Sequence, residues 1–330
     1  MTETLLKVKN LRTEFRTEGG VVKAVDDVSF EIKDGEIFAL VGESGCGKSV
    51  TALSIMGLIP NPPGEIVSGS IEFDGIDLLG LSSKEMRKIR GSRIGMIFQE
   101  PMSSLNPVLT IESQLAEPLK IHQNMSINAA RDRAQELIDI VGIPDSKTRL
   151  KQFPHELSGG QRQRIMIAMA MACNPRLLIA DEATTALDVT IQAQILDLMQ
   201  DVTEQSGASL LVITHNLGIV ARYADRVAVM YAGKLREVSE ATDLYTEPHH
   251  PYTIGLLQSV PRLDSEKGAP LSPIAGEIPD LTDLPEGCAF NPRCQWAVDK
   301  CRVEKPALEE TEPSRQVACF EHKTVALGVQ

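Results

Sequence analysis

Four short apolar runs punctuate the chain: "EIFALVG" (36–42), "RIGMIFQ" (93–99), "RLLIAD" (176–181) and "SLLVITH" (209–215). Each is continuous rather than alternating, the pattern of a strand buried on both faces of a parallel sheet. Between them the apolar positions recur at helical spacing. "KSVTALSIMGLI" follows the first run directly, and "NAARDRAQELIDIVG" is an amphipathic pattern that stops at Gly142 and Pro144. Strands and helices in alternation predict an α/β domain over residues 1–245, with a helical subdomain inserted at about 105–170. The first run ends Gly-rich and a polar residue closes each of the other three, at the sheet edge where α/β proteins bind ligands.

After residue 245 the pattern changes. Ten of the nineteen prolines lie at or beyond Pro248, which predicts a loop-rich segment, 246–330, without long helices or strands. A piece this small has little core of its own and calls for a staple such as a metal or a cross-link. It also holds four of the six cysteines: Cys288, Cys294, Cys301 and Cys319.

Charge narrows the function. A net charge of -12 over 330 residues argues against a general attraction to nucleic-acid phosphates, so no nucleic acid is expected as a partner. No apolar run approaches the roughly 20 residues that span a bilayer, and "MTETLLKVKN" lacks the layout of a secretory signal. The expectation is a cytosolic chain, where disulfides rarely persist.

The chemistry begins at "GESGCGKS" (42–49), which fits G-x-x-x-x-G-K-[ST] between a predicted strand and a predicted helix. Gly42, Ser44, Gly45, Cys46, Gly47, Lys48, Ser49 and Val50 form the candidate phosphate-binding set. The glycines let successive N–H groups turn inward onto phosphate oxygens at a helix N-terminus. Lys48 is placed to reach the β- and γ-phosphates, and the Ser49 hydroxyl to hold Mg²⁺. "LLIADE" (177–182) ends an apolar strand in two carboxylates. Asp181 is expected to hold the Mg²⁺ and Glu182 to act as general base on the attacking water. A glycine-rich surface loop and a solvated strand end are the plainer alternatives.

"LSGGQRQR" (157–164) lies ahead of that pair and opens a helix, with Ser158, Gly159, Gly160 and Gln161 at its start. Here the sequence resembles the ATP-binding cassette (ABC) ATPases, whose signature this is. The resemblance implies a P-loop NTPase fold and two subunits that sandwich ATP, with Ser158 and Gly160 touching the γ-phosphate held by the partner. It also implies a Q-loop role for Gln99, sensing Mg²⁺ and the attacking water. A D-loop at "ALD" (186–188) and a switch histidine at His215, reaching the γ-phosphate, follow in family order. Phe15 matches the aromatic that stacks on adenine, although "RTEGGVVKA" after it reads as a long, aromatic-poor loop. Ala183 stands where the family commonly has proline, which predicts a slightly looser segment with both carboxylates kept.

"HHPYTIGLLQSVPRL" (249–263) is similar to the segment that opens the C-terminal extension of dipeptide/oligopeptide permease ATPases, so the resemblance covers nearly the whole chain. It implies the ATP-hydrolysing motor of a multisubunit peptide importer, peripheral on the cytoplasmic face of the membrane. Its partners would be a second, paralogous ATPase, two membrane permease subunits that dock near 99–115, and indirectly an extracellular or periplasmic solute-binding protein. A non-transport ABC ATPase, or a motor for another solute such as a metal chelate or a glutathione-like peptide, is the alternative. The tail spacing C-x5-C-x6-C-x17-C lacks the paired C-x2-4-C knuckles usual for zinc. Spacing leaves Zn²⁺, an iron–sulfur cluster and free thiols open; the family resemblance implies a [4Fe–4S] cluster. Trp296, in the same stretch, is either a shield for that site or plain core.

Overall fold

The computed structural model describes residues 3–99, 104–183, 189–259 and 273–327. Two compact units emerge, one of residues 1–3, 33–36 and 80–213, the other of 4–32, 37–79 and 214–330.

In the first unit, three apolar runs become parallel strands. β6 (Ile94–Ile97) pairs with β7 (Leu177–Asp181), and β7 with β8 (Ser209–Thr214). Every residue of β7 and β8 is buried, as continuous apolar runs require. The helical part contains Ile111–Gln123, Ile127–Ile140 and Gly159–Met171, which pack on one another. The helix Ile127–Ile140 starts where the Ser126 hydroxyl accepts the Ala129 N–H at 3.3 Å. It buries Ala130, Ala134, Leu137 and Ile138, a single stripe at i, i+4, i+7 and i+8.

In the second unit, a four-stranded sheet runs in the order β2-β1-β4-β5. Here β1 is Thr4–Thr17, β2 Gly20–Lys33, β4 Gly64–Phe73 and β5 Ile76–Asp77. β1 and β4 are antiparallel, from Leu6 opposite Phe73 to Phe15 opposite Gly64, with an irregularity in register between Lys9 and Thr13. The segment "RTEGGVVKA" is therefore no long loop. β1 continues to Thr17, β2 starts at Gly20, and the Thr17 hydroxyl donates to the Gly20 carbonyl at 2.9 Å across the turn.

A second sheet in this unit starts from β3 (Ile37–Val41), parallel to β9 (Arg226–Tyr231). β9 pairs antiparallel with β10 (Lys234–Glu240), β10 with β12 (Arg315–Val317), and β12 with β11 (Glu309–Glu312). The tail thus adds two strands to the sheet that carries the phosphate loop. One core joins them: Val41, Val229 and Tyr231 pack with Tyr252, Cys288, Phe290 and Cys301. Tyr231, Tyr252 and Phe290 form a trio with ring centroids 4.6, 5.2 and 5.4 Å apart. Each such pair contributes about 1 kcal/mol beyond its burial.

Candidate functional site

The phosphate loop leaves the end of β3 and enters the helix Lys48–Ile55, with Gly47 at its N-cap (φ 110°) and no side chain capping it. The N-terminus of a helix is where an anion is favoured. Glycine is required at both ends of the loop. A Cβ on Gly42 would stand 2.2 Å from the Met230 carbonyl oxygen, and one on Gly47 2.1 Å from that of Ala24. Lys48 is buried, and its Nζ donates to the carbonyls of Gly42 (2.8 Å) and Glu43 (3.0 Å). Ser44 and Gly45 are exposed, while Ser49 and Val50 are half-buried. Cys46 is buried behind the loop, where burial raises its thiol pKa; its carbonyl accepts the Gly233 N–H at 2.9 Å.

The loop is also held from the tail. The Glu43 N–H donates to Tyr252 Oη at 2.8 Å, and the Glu43 carboxylate receives both Nη atoms of Arg293, at 2.8 and 3.0 Å. Phe15, half-buried in β1, lays its ring over Gly64, where a Cβ would come within 2.7 Å of it.

In the other unit, Gln99 and Glu182 come together: Gln99 Nε2 donates to Glu182 Oε2 at 2.9 Å. Asp181 is 6% exposed at the end of β7, and the Glu182 N–H donates to the Ile213 carbonyl at 2.9 Å. Glu182 has a φ of 45°, a left-handed conformation that costs a non-glycine residue about 1 kcal/mol or more and concentrates at functional sites. Ser158 caps the helix Gly159–Met171 in a capping box. Its hydroxyl accepts the Gln161 N–H (3.3 Å), and its own N–H donates to Gln161 Oε1 (3.0 Å). From the same helix the buried Gln163 donates to the Ala183 carbonyl, holding the position where the family has proline. His215, which belongs to the unit of the phosphate loop, is exposed just past β8. The 186–188 segment lies outside the described residues.

Residues 25–185 match the ABC transporter family, and residues 237–301 the oligopeptide/dipeptide transporter C-terminal region. The dipeptide transport ATP-binding protein DppD of Bacillus subtilis (strain 168) is 54% identical over 318 residues, covering 96% of this chain and 95% of that one. This chain belongs to the ABC transporter ATP-binding proteins of the dipeptide/oligopeptide type. The oligopeptide transport ATP-binding protein OppD of the same organism is 54% identical over 313 residues, 95% of this chain and 87% of its own. Among solved structures, a dimer of the ATP-binding cassette MJ0796 in a post-hydrolysis state, bound to ADP and Pi, matches with a TM-score of 0.65. It is 29% identical and covers 72% of this chain and 98% of its own. The α/β P-loop fold expected from the sequence is the one found, and as an ABC ATPase this chain binds and hydrolyses ATP.

In the extension of this ABC ATPase, Cys288, Cys294, Cys301 and Cys319 line one small cavity, with His250, Phe290, Trp296 and Phe320 in its wall. All six cysteines of the chain are free of disulfides. Burial, with the neighbouring thiols adding to it, pushes Cys294 up to about 11 and Cys319 up to about 12. Beside them lies Arg236 of β10, 3% exposed, whose carbonyl accepts the Ala318 N–H at 2.8 Å. Its Nε has no hydrogen-bond partner among the described residues. Burial lowers its pKa, and Cys288 and Cys319 are among the groups that counter this. Nearby Asp26 already faces Lys234 (2.9 Å) and Arg12 (3.3 Å). A buried guanidinium calls for an anion. Among the described residues, no three His, Cys, Asp or Glu side chains are arranged to hold a metal ion. Four thiols are the donor chemistry a thiophilic metal takes, and here their sulfurs share a cavity without closing on a centre.

Sequence reading did not find Glu43, Gln163, Tyr252 or Arg293 as parts of the site. Tyr252 stands in the "HPY" segment and Arg293 in "NPRC" directly before a cysteine, the two signals that could have found them.

Proposed function

We propose that this ABC ATPase drives import of di- or oligopeptides as one of two ATPase subunits on the cytoplasmic face of the membrane. Residues 1–245 form the nucleotide-binding domain, with its helical subdomain at about 105–170, and residues 246–330 the extension. The 42–50 loop wraps the phosphates and Phe15 stacks on adenine. Ser49, Gln99 and Asp181 serve Mg²⁺. Glu182 activates the attacking water as general base and His215 steadies the γ-phosphate. Ser158, Gly159, Gly160 and Gln161 close on the nucleotide held by the partner subunit. Catalysis is then mostly positioning and charge stabilisation of the γ-phosphoryl transition state.

The hydrogen bond between Gln99 and Glu182 carries this reading, because it joins the carboxylate of hydrolysis to the segment leading to the membrane-facing region. That region exposes apolar side chains, Val108 at 76% and Leu109 at 39%, suited to docking the permease subunits. Glu182→Gln is the test: ATP affinity is retained while turnover falls about 10²- to 10⁴-fold. Undiminished turnover in the assembled transporter removes Glu182 as the base.

Cys288, Cys294, Cys301 and Cys319 hold a [4Fe–4S] cluster in this reading, and the buried Arg236 offsets its negative charge. The cluster would cross-link the tail, and nothing in the hydrolytic steps passes through it. Anaerobically purified protein should contain about four iron and four sulfide per chain. One zinc per chain without sulfide replaces the cluster by Zn²⁺ at the same thiols.

A further inference from the structure

The phosphate loop is anchored by a segment nearly 250 residues further along the chain, and the anchoring is specific. Glu43 is gripped on both its side chain and its backbone. Its carboxylate takes the two Nη atoms of Arg293 in a fork, and its N–H donates to Tyr252 Oη. Arg293 is itself fully occupied. Its side chain is 4% exposed; Nε donates to the Ala275 carbonyl at 3.0 Å, and Nη2 lies 3.4 Å from that of Ile274. The guanidinium sits 5.8 Å from the Tyr231 ring centroid and 5.9 Å from that of Phe290. A planar fork held this way fixes position as well as charge.

The remaining side of the Glu43 peptide is held by Lys48, whose Nζ occupies the carbonyls of Gly42 and Glu43. In the proposed role, Lys48 turns to the phosphates when nucleotide binds and would give up those two contacts. The Cys46 N–H contact to the Glu43 carbonyl (3.4 Å) stays within the loop, and the anchors from the extension hold the Glu43 end from outside it.

We propose that Arg293 and Tyr252 are positioning residues for the phosphate loop, so that the folded extension is a condition of tight ATP binding. The inference rests on reading 42–49 as the phosphate site. Pre-organisation of this kind acts on affinity rather than on the chemical step.

The test measures ATP dissociation constants of the purified full chain with a fluorescent nucleotide, and kcat at saturating ATP in the assembled transporter. Arg293→Met should weaken ATP binding about tenfold with kcat within about twofold. Arg293→Lys, which keeps the charge and loses the fork, should fall between. Arg293→Met combined with Glu43→Gln should cost less than the sum of the two single changes, as for residues acting through one contact. Tyr252→Phe keeps the ring packing and removes only the acceptor, so it carries the test even if Arg293→Met does not fold; a loss of about threefold is expected. Wild-type affinity in Tyr252→Phe and Arg293→Lys, or a loss confined to kcat, overturns the proposal. A Lys48→Ala control that binds ATP like the wild type overturns the phosphate-site reading instead.

Discussion

A methyl group at position 47 would sit 2.1 Å from the Ala24 carbonyl oxygen, on a backbone whose φ of 110° side chains rarely adopt. Gly47→Ala should therefore abolish ATP binding and lower stability by about 3 kcal/mol, measurable by nucleotide titration and denaturant unfolding. Ser158 allows a subtler separation, since it caps a helix and is assigned to a phosphate. Ser158→Ala should cost about 1 kcal/mol and weaken ATPase activity. Ser158→Asp should keep the cap yet abolish activity, because a carboxylate would face the γ-phosphate. Equal activity in the serine and aspartate forms would leave Ser158 as a cap alone. Gly42, Lys48, Asp181 and Glu182 stand out in the sequence as candidates because the motifs that carry them are local, set by neighbours within a few positions. Glu43 does not, since its partners Tyr252 and Arg293 reach it only through the fold.

At the scale of elements, the same distinction separates the strands that sequence reveals from those it hides. β7 and β8 read as apolar runs because nothing polar interrupts them before their ends. β10 escapes such a reading. It buries Arg236 at 3% and Glu237 at 0% exposure, and a charged pair in mid-strand looks like surface. Glu237 is satisfied by accepting the N–H groups of His249 (2.8 Å) and His250 (3.0 Å), which fastens the start of the extension to the sheet. The four-cysteine segment meets the phosphate loop through Arg293, one residue before Cys294. If the tail holds the proposed cluster, stripping it from the purified protein should weaken ATP binding in the wild type and add little in Arg293→Met. Titration of both proteins before and after chelation checks this, and equal losses in the two would show that the metal acts by another route.

For the whole molecule, the proposed docking role of the exposed Val108 and Leu109 is separable from hydrolysis. Val108→Glu should leave ATP binding of the detached subunit unchanged and prevent copurification with the membrane subunits, read from affinity pull-downs of the complete transporter. Copurification at wild-type levels would place the docking surface elsewhere. The nucleotide loop is usually treated as a portable unit, complete in its eight residues. Here it is not portable: moved into another cassette, its second residue would bring a carboxylate made for an arginine that the new host does not provide.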